Sequence, residues 1–443
     1  MEATAMVDVP SAALRGPGCS SAPTPQGGDS RVPTRCFIMG AVPHVIIVGG
    51  GPAGAALAYL LASRALQVTL IERQSDFARE FRGEVLMPSG QAVFDELGLR
   101  EAFDALPHSE PRRAELHPGL RHRISVDFGE DLQGGPRIVS QPAMLEMLVE
   151  RASAFPNFEF HRGVQVSDVL HEGERASGVK LGDGREIRGD LVVGADGRGS
   201  LVRRKSGLDA PHDSEIFDIV WFKVPYPEFL AARGKPVQGY FGRGHLAINF
   251  PSPEGDALQV AWVIRKGTFG ELRRQGVEAW VREMAGHVRP ELGDHLRQHA
   301  DRLDRPFVLD VVCYLLPEWW KPGVVLVGDA CHPMSPVGGQ GINIALRDIV
   351  VLANHLVPVL RAGDDAEAVD TALEAYTRER SPEVETVQGF QRAAPKVLLS
   401  DGWRTAMLMQ VLRILRFGPV RRFAARHGAA PLLEGTCVVR LRV

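Results

Sequence analysis

The sequence predicts an α/β fold: a Rossmann-like nucleotide-binding domain with an inserted antiparallel-sheet substrate domain and a helical C-terminal region. Three observations carry this prediction. Residues 44–61, HVIIVGGGPAGAALAYLL, run an apolar strand through a glycine cluster into an alanine- and leucine-rich helix, the opening of a βαβ unit. Far downstream, GVVLVGDA at 323–330 drives a second buried strand into Gly328 and Asp329. Between them, from about Ile216 to Lys266, the text changes to alternating strands (IVWFKV, GYFGRGHLAINF, LQVAWVIRK) of the kind that pair antiparallel.

The elements follow in order. Residues 1–38 are rich in Pro, Gly, Ser and Ala and lack the apolar core of a signal peptide, so they are expected to be a disordered extension, with Met39 a candidate translation start. Residues 39–210 are assigned to the first part of the nucleotide-binding domain, 211–270 to the inserted sheet, 271–350 to the completing part, and 351–443 to the helical region. Within the first part, QVTLIER (Gln67–Arg73) closes the βαβ unit, Pro88–Phe103 and QPAMLEMLVERASAF carry helical apolar patterns, and a hairpin turns at Asp183-Gly184 before the buried strand DLVVGADG. A chain of 443 residues accommodates two or three such units.

Composition narrows the function classes. The 51 Lys and Arg nearly balance 54 Asp and Glu, so no global field attracts nucleic acid, and a small-molecule partner is expected. The five cysteines (Cys19, Cys36, Cys313, Cys331, Cys437) form no CxxC pair, which points to a reducing cytoplasm and away from zinc. Cys331 and His332 have no partner ligands at useful spacing and read as loop residues. The longest apolar candidate for a membrane span, Ile342–Leu360, is interrupted by Asn343, Arg347, Asp348 and His355.

Gly49-x-Gly51-x-x-Gly54 gains weight from its context. It follows a strand, Pro52 and Ala53 open the next helix, and Glu72, followed by Arg73, ends the second strand where a carboxylate binds ribose hydroxyls. The glycines admit a pyrophosphate to backbone N–H groups at the positive end of the helix. Two later strand ends, Asp196-Gly197 and Gly328-Asp329, suit a polyhydroxyl chain. Asp196 is equally suited to capping a helix. The backbone at Gly339, Gly341, Ile342 and Asn343 is placed to donate to an electron-rich ring edge.

GGGPAG with Glu72, GADGRGS, and GDACHPMSPVGGQGINIAL together resemble the single-component flavoprotein aromatic hydroxylases, the para-hydroxybenzoate hydroxylase group, from about His44 to Leu356. The resemblance implies that the first motif holds the ADP part of FAD, that Asp196 serves FAD and pyridine nucleotide, and that Asp329 holds the ribityl. It further implies Arg82 near the pyrophosphate, Pro336 beside the reactive flavin carbon, Gly341–Asn343 near the pyrimidine ring, and Gln141, where many members have arginine, as an FAD contact. The implied activity is an NADPH- or NADH-consuming, O2-dependent monooxygenase acting through a flavin C4a-hydroperoxide, with the pyridine nucleotide bound transiently.

The substrate is expected between the flavin loop and the middle sheet, which carries Trp221, Phe222, Tyr240, Phe241, His245, Phe250 and Trp262. About two of these are expected in the pocket, and His245 is the candidate base for a phenol. A lipophilic aromatic substrate of phenol, quinoline, quinolone or polyketide type, hydroxylated or epoxidised in secondary metabolism, fits that supply. The alternative is a geranylgeranyl-reductase-like enzyme acting on an isoprenoid. Flavin-dependent halogenases share the fold, but their WxWxIP segment has only AWVIRKG as its nearest text here. Finally, residues 395–428 combine leucine, valine and methionine with seven basic residues, a pattern for a helix packed on the FAD domain with a solvated basic face, or for weak peripheral contact with an anionic membrane.

Overall fold

The computed structural model describes residues 42–78, 84–119, 122–132, 134–208, 210, 215–242, 244–399, 407, 418–424 and 433–443. The expectations for residues 1–38, and for Arg82, lie outside these residues.

The first sheet has six strands in the order Trp320–Lys321, Val324–Leu326, Leu191–Gly194, His44–Val48, Gln67–Glu72 and Phe158–Arg162. All neighbours run parallel except the antiparallel edge hairpin formed by the first two. His44–Val48 occupies an interior position because its apolar run tolerates burial on both faces, with Val45, Ile46 and Ile47 at 0% exposure. The helix Pro52–Ala62 is buried nearly all round, packed against the helices Gln141–Ser153 and Gly341–Ala362. Its Ala- and Leu-rich text is what such a site requires, and Pro52 costs nothing in the first turn, where its missing N–H has no helical partner.

The second sheet has seven strands, ordered Asp304–Leu309, Phe217–Pro225, Ala257–Arg265, His245–Pro251, Val237–Gly242, Arg113–Pro118 and Ile124–Asp127. The sequence-derived borders of the inserted sheet, 211 and 270, therefore need correction. Two strands arrive from the first part of the chain, and the helices Phe269–Gln275, Val277–Ala285 and Pro290–Gln298, assigned to the completing part, pack on this sheet instead. The cause is register: Val237–Gly242 pairs parallel with Arg113–Pro118, a long-range pairing that local alternation does not announce.

Registration sorts the side chains of this sheet into two faces. Phe222, Tyr240, Ala247, Val260 and Trp262 meet the three helices. Trp221, Leu246, Phe250, Ala261 and Val263 cluster instead with Ile138 of the first part and Val337 of the late glycine-rich loop. The expected hairpin at Asp183-Gly184 forms, with Gly184 at φ +90°.

Gly341–Ala362 is a core helix. The segment Val337–Ala362 has the length and composition to cross a membrane, yet 72% of its apolar window is buried inside the protein. Ala366–Leu398 packs along it, and the C-terminal residues 433–443 lie against both helices, where Arg347 donates to the carbonyls of Glu434 and Cys437, Thr436 N–H donates to Glu383 and Asn354 brackets Arg440 and Arg442. Of the basic segment 395–428, Arg404, Arg413, Arg416 and Arg426 lie outside the described residues. The helix Gly418–Ala424 is fastened by Arg421 to buried Asp131 at 2.9 Å.

Candidate functional site

The glycine loop is built by close approach. Gly49 sits at φ +107°, and a Cβ there would lie 2.4 Å from the carbonyl oxygen of Ala195. A Cβ on Gly54 would lie 1.9 Å from the Gly49 oxygen, whereas one on Gly51 would meet nothing within 4 Å. Two of the three glycines thus let strand, loop and helix pack, and the third keeps the approach to the helix N-terminus open. Glu72, 3% exposed, accepts from Gly50 N–H at 2.7 Å and Gln74 N–H at 2.9 Å. The predicted ribose ligand therefore also fixes the loop, and because a carboxylate accepts up to about four hydrogen bonds the two roles are compatible. Arg73, immediately after it, is exposed.

The distant motifs converge on this loop. Ala195 N–H donates to Val48, Val327 N–H donates to Gly194, and a Cβ on Gly328 would lie 3.7 Å from Ala53. Both oxygens of Asp196 accept from the next helix, Oδ1 from the Ser200 hydroxyl and Oδ2 from Leu201 N–H at 2.6 Å. Of the two roles read from the sequence, the cap is the one these contacts display. Gly197, at φ +76°, leaves open space beside it. Gln141 is the first residue of its helix, half-buried behind Ser140.

The third motif forms the other wall. Asp329 lies half-buried in a 3-10 turn, and a Cβ on Gly341 would approach its Oδ1 to 4.0 Å. The first bond within the helix Gly341–Ala362 is Ile344 N–H to Gln340, so the N–H groups of Gly341, Ile342 and Asn343 precede the helical ladder. Pro336 is half-exposed, and the turn beyond it passes through Gly338 at φ +79° and Gly339 at φ +62°. Asn343, 0% exposed, accepts from Met87 N–H at 2.8 Å and donates to Gly339 and Val85, clamping the segment after Arg82 against the loop.

Several supports escaped sequence reading. Gln388 and Gln391, one turn apart on Ala366–Leu398, donate to the carbonyls of Tyr314, Pro333, Ser335 and Val337 and so hold the loop from behind. The available signal was VQGFQ, two glutamines at i and i+3 on a helix. His332 is more than a loop residue: it is 1% exposed and bonds Asp348 at 2.7 Å, and Asp348 in turn binds Arg380 at 2.8 Å. Burial alone would lower the His332 pKa, but the Asp348 carboxylate helps raise it well above the ordinary value.

His245 requires correction as a candidate base. Strand alternation puts Leu246 on the face toward the loop, which turns His245 to the helical face, where its ring stacks on His287. Of the seven aromatic residues named in the sequence, Trp221, Phe241 and Phe250 face the flavin loop, while Phe222, Tyr240, His245 and Trp262 face the helices or their rim.

The open approach at Gly51, the acidic strand end at Glu72, the carboxylate of Asp329 and the unladdered N–H groups at Gly341–Asn343 are a donor and acceptor set that fits FAD. These features define a flavin-binding α/β protein. Residues 43–391 match the family described as FAD binding domain, and the chain belongs to that family, within its para-hydroxybenzoate hydroxylase-like monooxygenases. It is 34% identical over 378 residues to the 6-methylpretetramide 4-monooxygenase of Streptomyces rimosus, covering 82% of this chain and 86% of that protein. Among solved structures, p-nitrophenol 4-monooxygenase PnpA from Pseudomonas putida superposes with a TM-score of 0.73 at 20% identity, over 90% of this chain and 99% of that one. PqsL of Pseudomonas aeruginosa, in complex with 2-aminobenzoylacetate, gives 0.71 at 23% identity, over 84% and 100%. The protein is an FAD-dependent monooxygenase.

Proposed function

We propose that this monooxygenase inserts oxygen into a hydrophobic polycyclic aromatic of polyketide type, at the expense of NADPH or NADH, in a cytoplasmic pathway of secondary metabolism. The observation that carries the reading is the sheet face bearing Trp221, Phe241 and Phe250, whose cluster includes Val337 of the flavin loop. The similarity to a 6-methylpretetramide 4-monooxygenase supports the same class. Bound FAD supplies the two-electron exchange with the nicotinamide and the activation of O2.

The chain's own residues do the remainder. Gly49, Gly51 and Gly54 with the N-terminus of Pro52–Ala62 receive the pyrophosphate, Glu72 the ribose and Asp329 the ribityl, with Pro336 and Gly339–Asn343 lining the ring edge. Arg82, Gln141, Asp196 and Gly197 complete the proposed contact set. The apolar wall excludes water and orients a flat ring through edge and face contacts, as Trp221 and Phe250 already do with each other at 5.9 Å between centroids.

The test is product analysis. Purified holoenzyme is supplied with NADH or NADPH and a panel of 6-methylpretetramide, phenols, quinolones and polycyclic polyketides. Substrate-stimulated pyridine-nucleotide oxidation with an oxygenated aromatic product is expected; turnover of isoprenoids alone, with double bonds reduced, would replace this reading with the reductase one. Weak membrane contact through the basic C-terminal segment belongs to the proposal as well, supported by Val420 and Phe423 exposed on either side of Arg421 and Arg422. Co-sedimentation with anionic liposomes checks it, and complete recovery in the supernatant would end it.

A further inference from the structure

Glu84 precedes the strand Val85–Leu86, and it is only 7% exposed. A buried carboxyl is costly unless it is paired. Among the described residues its one side-chain partner is Gln259, whose Nε2 donates to Oε2 at 2.7 Å, and none donates to Oε1. Gln259 is itself 1% exposed, and its Oε1 is buried with no partner. Two oxygen acceptors thus lie on adjoining, largely buried side chains, and neither takes a hydrogen bond from a described residue.

Their place in the fold gives the pair a meaning. Lys223, Gln259 and Phe250 form one registered row across three strands, next to the row of Trp221, Ala261 and Ile248, on the face that clusters with Val337. On its other side Glu84 is tied to the flavin loop, because Asn343 grips Val85 and Met87 just beyond it. Glu84 therefore stands where the aromatic wall and the flavin loop meet. Burial pushes its pKa up to about 7, outweighing the Gln259 hydrogen bond and the Lys223 charge, which favour the ionised form, while the Glu254 charge acts in the same direction as burial.

We propose that Glu84, oriented by Gln259, receives the hydroxyl of a phenolic substrate and accepts its proton. The proposal rests on the aromatic-substrate reading above. The substrate O–H bond breaks, the proton passes to Glu84 Oε1, and the electron pair stays on the substrate oxygen, enriching the ring carbons ortho and para to it. After a ring carbon has gained oxygen, its own proton leaves to solvent while Glu84 returns the held proton to the substrate oxygen. The carboxylate is regenerated. A base that titrates near the working pH serves both directions, and a pair of acceptors selects hydroxylated rings over carboxylated ones.

The test compares 2-naphthol with 2-methoxynaphthalene, binding to oxidised holoenzyme being followed by flavin absorbance between about pH 5.5 and 8.5. A hydroxyl donates more strongly to the carboxylate than to the carboxylic acid, so the affinity for 2-naphthol relative to its methyl ether should rise about tenfold with a midpoint near 7. In E84Q, with flavin content checked, the ratio should be independent of pH, and turnover of any phenol accepted by the wild type should fall about a hundredfold or more. Q259L, which loses the bond that favours the ionised form, should move the midpoint upward. A wild-type ratio that is flat, an E84Q ratio that still rises, or an unmoved midpoint in Q259L would overturn the proposal. Failure of the wild type to bind either probe would instead overturn the aromatic-substrate reading, and the proposal with it.

Discussion

At Gly49 the backbone and the space around it impose the same demand. Its φ of +107° suits only glycine, and an added Cβ would lie 2.4 Å from Ala195 O. G49A is therefore expected to cost more than the roughly 1–3 kcal/mol of backbone strain alone and to yield protein without flavin, read from the absorbance of the purified sample. Glu84 makes a separate prediction about stability. Its native pKa is raised to about 7, above the unfolded value, so its contribution is fully present below about pH 4.3 and is lost as pH rises through 7. E84Q should match the wild type in denaturant unfolding near pH 5 and exceed it by roughly 2–4 kcal/mol at pH 9. The cofactor motifs were legible because GxGxxG, Glu72 and GDA each carry a local spacing. Glu84 was not, because a carboxyl in FRGEVL acquires its character only from Gln259, 175 residues away.

At the scale of elements, the helices Gly341–Ala362 and Ala366–Leu398 share a buried charge network in which Asp348 joins His332 to Arg380, and Glu383 joins Arg347 to Arg380. D348A would strand two buried cations, so a loss of about 3–5 kcal/mol is expected in chemical denaturation. The pH signs differ for the two partners. His332 is raised, so its stabilisation is complete below about pH 6.5 and fades as pH climbs through its native value; Asp348 is lowered despite its burial, so its stabilisation is complete above about pH 4 and fades as pH falls. The two windows overlap between about pH 4 and 6.5, and H332N should flatten that maximum. The inserted sheet makes a sharper contrast. F250A should alter substrate affinity and turnover with modest loss of stability, while W262A, on the helical face, should cost about 3–5 kcal/mol and leave the affinity of the surviving folded enzyme unchanged. Alternating strands were readable, but which alternate face meets the flavin loop was not. A one-residue change of phase exchanges the faces, which is why His245 seemed a base and proves a neighbour of His287.

For the whole molecule, a parallel sheet supplies a rigid nucleotide platform, and an antiparallel sheet brought against its late loop supplies the wall for a substrate. The platform was predictable because strand, glycine turn and helix follow one another in the chain. The wall was predicted too small because Arg113–Pro118 joins it across more than a hundred residues, a pairing that only the assembled sheet reveals. The central claim is that this architecture transfers one atom of molecular oxygen to an aromatic ring. It is tested most directly by turning over an accepted aromatic under 18O2 with NADPH or NADH and weighing the product. The account predicts one 18O atom in the ring product, with none acquired from H2 18O under ordinary oxygen. A product lacking the label, or one merely reduced, would contradict it.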